Sequence, residues 1–151
     1  MPPSLRALPR GDDCEMSGNS ISYSSVSRSH LDGIIEICRI EGWTSFHTDP
    51  ERTWRVLTAP GVIAVVALDR ELVVGFAYVQ SDGEIQAHLS NIAVLQSHRR
   101  RGIARRMIEE AFARCGAQRI DLVSSEGSDQ FYRSFQHREF PGFRIYPAGK
   151  D

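Results

Sequence analysis

Between Ile21 and Tyr146 the apolar positions change period several times, and each change marks an element. A short alternating run, Ile21, Tyr23 and Val26, predicts a first strand. Ser29, with Asp32 three residues on, stands as an N-cap. Leu31, Ile34, Ile35 and Cys38 then keep helical spacing up to Gly42. Trp43 to Thr48 reads as a loop. Asp49-Pro50-Glu51 supplies a cap, a proline at the first helical position and an acid in the first turn, so a second helix runs on to Ala59-Pro60-Gly61.

The period then shortens to that of strands. Val62 to Leu68 is a buried run, Asp69-Arg70-Glu71 a turn and Leu72 to Val79 its partner; Ser81-Asp82-Gly83 turns again into Glu84 to Val94. Short turns make these three strands an antiparallel meander. A helix from about Gly102 to Cys115 carries Ile103, Met107, Ile108, Ala111 and Phe112 on one stripe, with Gly116 as its stop. Ile120 to Val123 is a short strand, Ser128 to Phe135 a short helix and Phe140 to Tyr146 a last strand. The order gives an α+β fold, one mixed sheet with helices packed on it.

Within Glu84 to Val94 the phase slips. Ile85, Ala87 and Leu89 share one face, yet Ile92 and Val94 fall in the opposite phase. A β-bulge near Ser90 and Asn91 is the simplest cause; it would bend the strand and leave backbone groups unpaired, able to hold an extended polar ligand. The alternative is a strand end buried on both faces, with Asn91 an ordinary polar residue in it.

Residues 1 to 20 hold three of the seven prolines and no apolar period, which predicts a disordered leader before a single domain spanning 21 to 151. The 151 residues, 41% hydrophobic and 25% charged, are of ordinary globular composition and long enough to bury ~70% of the unfolded surface. Cys14, Cys38 and Cys115 are too few and too scattered for a disulfide framework, so a reducing compartment is expected. Cys38 and Cys115 read as small core residues and not as nucleophiles. No stretch nears the ~18 apolar residues of a membrane helix, and the N-terminus lacks the apolar core of a secretory signal. The expectation is a soluble, cytoplasmic protein without membrane partners. His30, His47, His98 and His137 show no paired metal-ligand spacing, so no metal is expected.

Eighteen Lys plus Arg against nineteen Asp plus Glu give a net charge of −1, which excludes a generally basic protein. The average conceals an island. Residues 98 to 106, His-Arg-Arg-Arg-Gly-Ile-Ala-Arg-Arg, hold five arginines; the rest of the chain then carries 13 basic residues against 19 acidic, a net of −6. The island opens a helix, whose first N–H groups are unpaired and sit at the positive end of its dipole. Gly102 and the small Ala104 let a ligand approach the backbone. This is an anion site, and arginine adds bidentate phosphate contacts.

The segment Leu89 to Ala104, with Arg99-x-x-Gly102-x-Ala104, resembles the pyrophosphate-binding signature of the GNAT N-acetyltransferase superfamily, and the element order from Ile21 to Tyr146 is similar to that fold. The resemblance implies a central, mostly antiparallel sheet of six to seven strands flanked by about four helices, its bulged fourth strand splayed from the fifth. It implies acetyl-CoA as cosubstrate, with Ile92, Ala93 and Val94 bonding the pantetheine through their backbones. The amides of Arg100, Arg101, Gly102, Ile103, Ala104 and Arg105 would cradle the pyrophosphate. Arg99 belongs to the same cofactor-binding set, and a spare arginine such as Arg106 would serve the adenosine 3'-phosphate.

Acetylating an amine requires a base for an ammonium of pKa ~10 and an acid for a thiolate of pKa ~8.5. His88, eleven residues before Arg99, stands where similar family members carry a His or Glu base, and an imidazole of reference pKa ~6.5 is largely neutral at pH 7. From the strand pattern alone, Glu84, Gln86 and His88 read as the solvent side of a half-buried strand; the base role comes from the resemblance. Tyr132, in Phe131-Tyr132-Arg133-Ser134-Phe135, resembles the tyrosine the family aims at the thioester sulfur, an acid or hydrogen-bond donor; without the family it is a helix tyrosine packed beside Phe131 and Phe135. Two positions depart from the family: Gln136-His137 replaces Gly-Phe, and Ser125 replaces an asparagine expected to hold pantetheine.

Glu84, Gln86 and Trp43 would border the acceptor, a packing role for Trp43 standing beside that one. The acids Glu36, Glu41, Asp82 and Glu84 offer attraction to a cationic amine. The resemblance therefore implies direct acetyl transfer to a primary amine of a small molecule or protein, by a monomer or homodimer. The alternatives are a non-catalytic acyl-CoA-binding module of the same fold and a nucleic-acid-binding module using the arginines. The island's compactness and the lack of interleaved aromatics argue against the latter.

Overall fold

In the computed structural model, which describes residues 20–149, the strand-period segments form one five-stranded sheet in the order β1 to β5. The strands are β1 (Ile21–Ser25), β2 (Val62–Asp69), β3 (Leu72–Ser81), β4 (Gln86–Val94) and β5 (Arg119–Asp121). β1 to β4 pair antiparallel, and β5 joins β4 in parallel after a helical crossover. The expected leader lies outside the described residues except for residue 20, as does Cys14.

Five helices flank the sheet: α1 (Leu31–Ile40), α2 (Thr44–His47), α3 (Pro50–Leu57), α4 (Ile103–Cys115) and α5 (Asp129–Arg133). The sheet divides the core into two layers. On one face Val65, Ala67, Val74, Ala77, Val79, Ala87, Leu89 and Val94 meet Ile103, Met107, Ala111 and Cys115, a stripe spaced by four along α4. On the other, Ala64, Val66, Val73, Phe76, Tyr78 and Ala93 meet Ile34, Ile37 and Cys38 of α1 and Leu57 of α3. Thr53, the buried polar residue of this layer, ties α3 to α2 by donating its hydroxyl to the Phe46 carbonyl at 2.6 Å.

Several expectations need correction. The first helical segment is capped at Ser27, whose N–H donates to His30 Nδ1 at 3.0 Å, and not at Ser29; a 3₁₀ turn over Arg28–His30 intervenes before α1. Ile37, not Ile35, completes the buried stripe, since it lies three residues from Ile34 on the same side as Cys38. The Trp43 to Thr48 loop contains the single turn α2. Ile85 is 49% exposed and precedes β4, and Phe112 is 40% exposed because α4 turns only its fourfold stripe inward.

The sheet has five strands, fewer than expected. Phe140 to Tyr146 forms no strand: Pro141 lacks a donor and Gly142 follows it, the apolar positions do not alternate, and Phe143 and Ile145 stay 83% and 77% exposed.

One expectation about β4 holds in detail. Tyr78 pairs with Asn91 but Val79 pairs with Leu89, so Ser90 is an extra residue, the bulge. Burial follows the changed phase, since Ala87 and Leu89 before the bulge and Ile92 and Val94 after it all face the α4 layer. β4 and β5 pair only over Gln86–His88 against Arg119–Asp121. Beyond them the strands part, and among the described residues the post-bulge half of β4 has no strand on that side.

The α1 layer sits very close to the sheet at Gly33, where an added Cβ would lie 2.7 Å from Val73 Cβ. Gly33→Ala is therefore expected to destabilise the fold by about 1–3 kcal/mol, seen as a Tm several degrees lower in thermal unfolding; an unchanged Tm would contradict the close approach.

Candidate active site

β4 and β5 pair only over three residues each, and the chain leaving β4 runs on as the arginine loop. A 3₁₀ turn over Gln96–His98 pins the loop's start: His98 Nε2 lies 2.9 Å from Asp69 Oδ2, and its Nδ1 lies 2.7 Å from Ser97 Oγ. Arg100 then adopts φ +64° and Gly102 φ +77° before α4 begins. A left-handed arginine costs on the order of 1 kcal/mol and persists only where the surroundings hold it.

The backbone that follows is short of partners. The first α4 bond runs from the Arg106 N–H to the Gly102 carbonyl. Among the described residues, the amides of Arg100, Arg101, Gly102, Ile103, Ala104 and Arg105 have no acceptor. A Cβ built on Gly102 would have nothing within 4 Å. Six consecutive donors without an acceptor thus lie at the positive end of a 13-residue helix, with space open beside Gly102, and such an end stabilises an anion by both charge and hydrogen bonds.

The guanidinium groups divide between other tasks. Arg99 turns away from the cradle: its Nε donates to the Val94 carbonyl at 2.9 Å and its Nη2 to Glu41 Oε1 at 2.9 Å. Arg105 reaches to the end of α5, donating to Ser134 Oγ at 2.7 Å, with its Cζ 3.9 Å from the Phe135 ring centroid. Arg106, which the sequence suggested as a spare cation, has a partner within its own helix. It pairs with Glu110 one helical turn on, at 2.6 Å, and lies by the Tyr23 ring. Arg101 has one 3.3 Å bond to the Ser97 carbonyl. Among the described residues Arg100 has no ion-pair or hydrogen-bond partner.

Tyr132 is carried by α5 and packs, half-buried, against the α4 layer, which includes Leu89 and Ile92. Its ring meets Phe131 edge-on at 5.0 Å. Burial raises the phenol above its ordinary pKa, so it remains a proton donor. His88 lies on the opposite face of β4, exposed, in register with Gln80 and Asp121. The two candidate catalytic residues therefore flank the strand from either side.

The remaining candidates do not form one pocket. Gln86 is held between strands, receiving Arg119 Nη2 at 3.1 Å and donating to Asp121 Oδ2 at 2.8 Å. Glu84 lies in the turn before β4. Asp82 there accepts the N–H groups of Glu84, Ile85 and Gln86, which hold its carboxyl below the ordinary range. Trp43 packs edge-on to Phe76 at 6.1 Å, beside Phe46, and Phe76 pairs with Ala93. Trp43 and Gln86 are thus about 20 Å apart along β4, at some 3.3 Å per residue. Ser125 is exposed, and its carbonyl accepts Ser128 Oγ at 2.6 Å in the turn that starts α5.

Of the four acids noted in the sequence, Glu36 pairs with Arg39, Glu41 with Arg99, and Asp82 with its own turn. Sequence reasoning missed the strut roles of Glu41 and Ser134; the FYRSF segment contained the serine but gave no sign of its partner.

A model of the acetyltransferase (GNAT) domain matches residues 60–138. No curated protein matches the chain. Among solved structures, an acetyltransferase of Trypanosoma brucei is similar at 18% identity, TM-score 0.67, over 83% of this chain and 98% of its own. The aminoglycoside N-acetyltransferase AAC(6')-Iy in complex with CoA is similar at 17%, TM-score 0.67, over 85% and 100%. The ribosomal-protein-alanine N-acetyltransferase of Brucella melitensis is similar at 14%, TM-score 0.68, over 83% and 98%. At these identities the structures speak for a shared fold.

Proposed function

Because the chain belongs to the GNAT acetyltransferase family, we propose that it transfers an acetyl group from acetyl-CoA to a primary amine by direct attack, with both substrates bound together. The observation that carries this reading is the row of six unpaired amides from Arg100 to Arg105, set beside the strand edge that the bulge leaves open. The cradle fits a pyrophosphate: it offers donors only, and the Cβ position of Gly102 faces empty space. Arg100 supplies the free guanidinium for a further phosphate.

Ile92, with the N–H of Val94, offers backbone groups to the pantetheine; Ala93 alternates with them and turns its backbone toward Phe76 on β3. The Val94 carbonyl already accepts from Arg99. Ser125 would contact the same arm.

Acetyl-CoA supplies an activated acyl group; the residues supply proton management. His88, exposed and neutral when deprotonated, takes the proton of the attacking amine directly or through a water. Tyr132, kept protonated by burial, donates toward the leaving sulfur from the other face of β4. The acceptor belongs to the amine class. The aminoglycoside and ribosomal-protein relatives support that class without choosing within it, and Glu84, at the His88 end of β4, would border it.

Three outcomes are expected. CoA at one hundred times its Kd raises Tm by roughly 5–10 °C in thermal shift, about 2.7 kcal/mol of linkage, and Gly102→Glu abolishes the rise; no rise at millimolar CoA contradicts the reading. Tyr132→Phe lowers kcat roughly 10²-fold while KM for acetyl-CoA stays within about threefold in steady-state assays; equal losses in both argue for a binding role. Since burial raises the phenol, its donor form is lost only as pH climbs through its raised pKa. Any alkaline limb of the kcat profile due to Tyr132 therefore lies above pH 10 and vanishes in Tyr132→Phe. CoA binding with no transfer to any amine in an acceptor screen would leave a coenzyme-binding module.

A further inference from the structure

Arg99 opens the phosphate-loop signature, yet its side chain points away from the cradle. Its Nε bonds the carbonyl of Val94, the last residue of β4, and its Nη2 bonds Glu41 at the end of α1. Glu41 is only 27% exposed on its side chain and precedes Gly42 and Trp43, the start of the α2 wall. One guanidinium therefore joins three parts: the strand edge, the loop and the helix layer on the opposite face of the sheet. The next residue, Arg100, is held left-handed, a conformation that needs anchoring on both sides. α4 anchors it downstream, and Arg99 is the upstream anchor.

We propose that Arg99 is a positioning residue and that Glu41 is its counterpart: the pair braces the loop so that the amides from Arg100 to Arg105 converge before the anion arrives. The proposal rests on the coenzyme reading of that loop. It replaces two simpler assignments, Arg99 as a phosphate ligand and Glu41 as an acid that attracts a cationic acceptor.

Charge gives the proposal a distinctive sign. Removing a carboxylate next to an anion site strengthens anion binding if only electrostatics act. A brace predicts the reverse, because a loosened loop must be ordered at the expense of binding free energy.

The test is calorimetric titration of CoA into the full-length protein and its variants. Glu41→Ala and Arg99→Ala are each expected to weaken CoA about three- to tenfold, as suits a half-exposed pair whose loss disorders a loop. The double variant should be no more than about twofold weaker than either single one, since both remove the same link. Glu41→Gln, which keeps an oxygen for Arg99 Nη2, should retain most of the affinity. The free variants should melt within a few degrees of wild type, because an exposed ion pair contributes little to global stability.

Unchanged or tighter binding by Glu41→Ala overturns the proposal. So does a loss in Arg99→Ala at least tenfold beyond that in Glu41→Ala, which would make Arg99 a phosphate ligand. Failure of the wild type to bind CoA overturns the coenzyme reading itself, a result distinct from either of these.

Discussion

A single extra residue, Ser90, governs the architecture around the site. Without it, β4 would keep one phase and could pair with β5 along its length. With it, Leu89 and Ile92 both reach the α4 layer although they are three residues apart, and the strand bends away from its parallel neighbour. The backbone of the post-bulge half is then satisfied on the β3 side only. A buried or half-buried edge of this kind is costly unless water or a ligand completes it. The bulge thus creates a need for an extended partner and the space to hold one.

The loop after β4 meets the same requirement in another way. Six amides have no acceptor among the described residues, and the arginines around them mostly serve to hold that arrangement. Arg99 braces it toward α1, Arg105 fastens α5 and hence the Tyr132 segment to the first turn of α4, and Arg106 settles on Glu110. The cationic island of the sequence is therefore less a patch of free charge than a frame. Arg100, left-handed and exposed, has no ion-pair or hydrogen-bond partner among the described residues. The anion site owes its character to backbone donors and the helix dipole, with arginine in support.

Much of this was legible in the chain. The bulge was visible because burial obeys a period of two, so Ala87 and Leu89 against Ile92 and Val94 could not share a face without an inserted residue. The α4 stripe, the Asp49-Pro50 cap and the Gly116 stop were likewise local signals with local causes. What escaped was long-range or unsigned. Arg99 and Glu41 lie 58 positions apart, and nothing near either names the other. Ser27 and Ser29 are equally good caps on paper; the choice fell to His30, which bonds the Ser27 N–H. The Phe140 to Tyr146 segment has a strand's residue types without its alternation, and Pro141 removes a donor that pairing would need. The separation of Trp43 from Glu84 and Gln86 was likewise hidden, since sequence does not reveal that Trp43 packs edge-on against Phe76, which pairs with Ala93 at the far end of β4.

The central claim is that the open edge of β4 and the amides of the loop together form one binding surface for a phosphorylated, extended ligand. Backbone amide NMR during a CoA titration addresses it most directly. The account predicts that the largest shifts fall on residues 92–94 and 100–105, and that exchange of those amides with solvent slows in the complex. Large shifts confined to the Glu84 to His88 end of the strand, with residues 100–105 unmoved at saturating CoA, would contradict it.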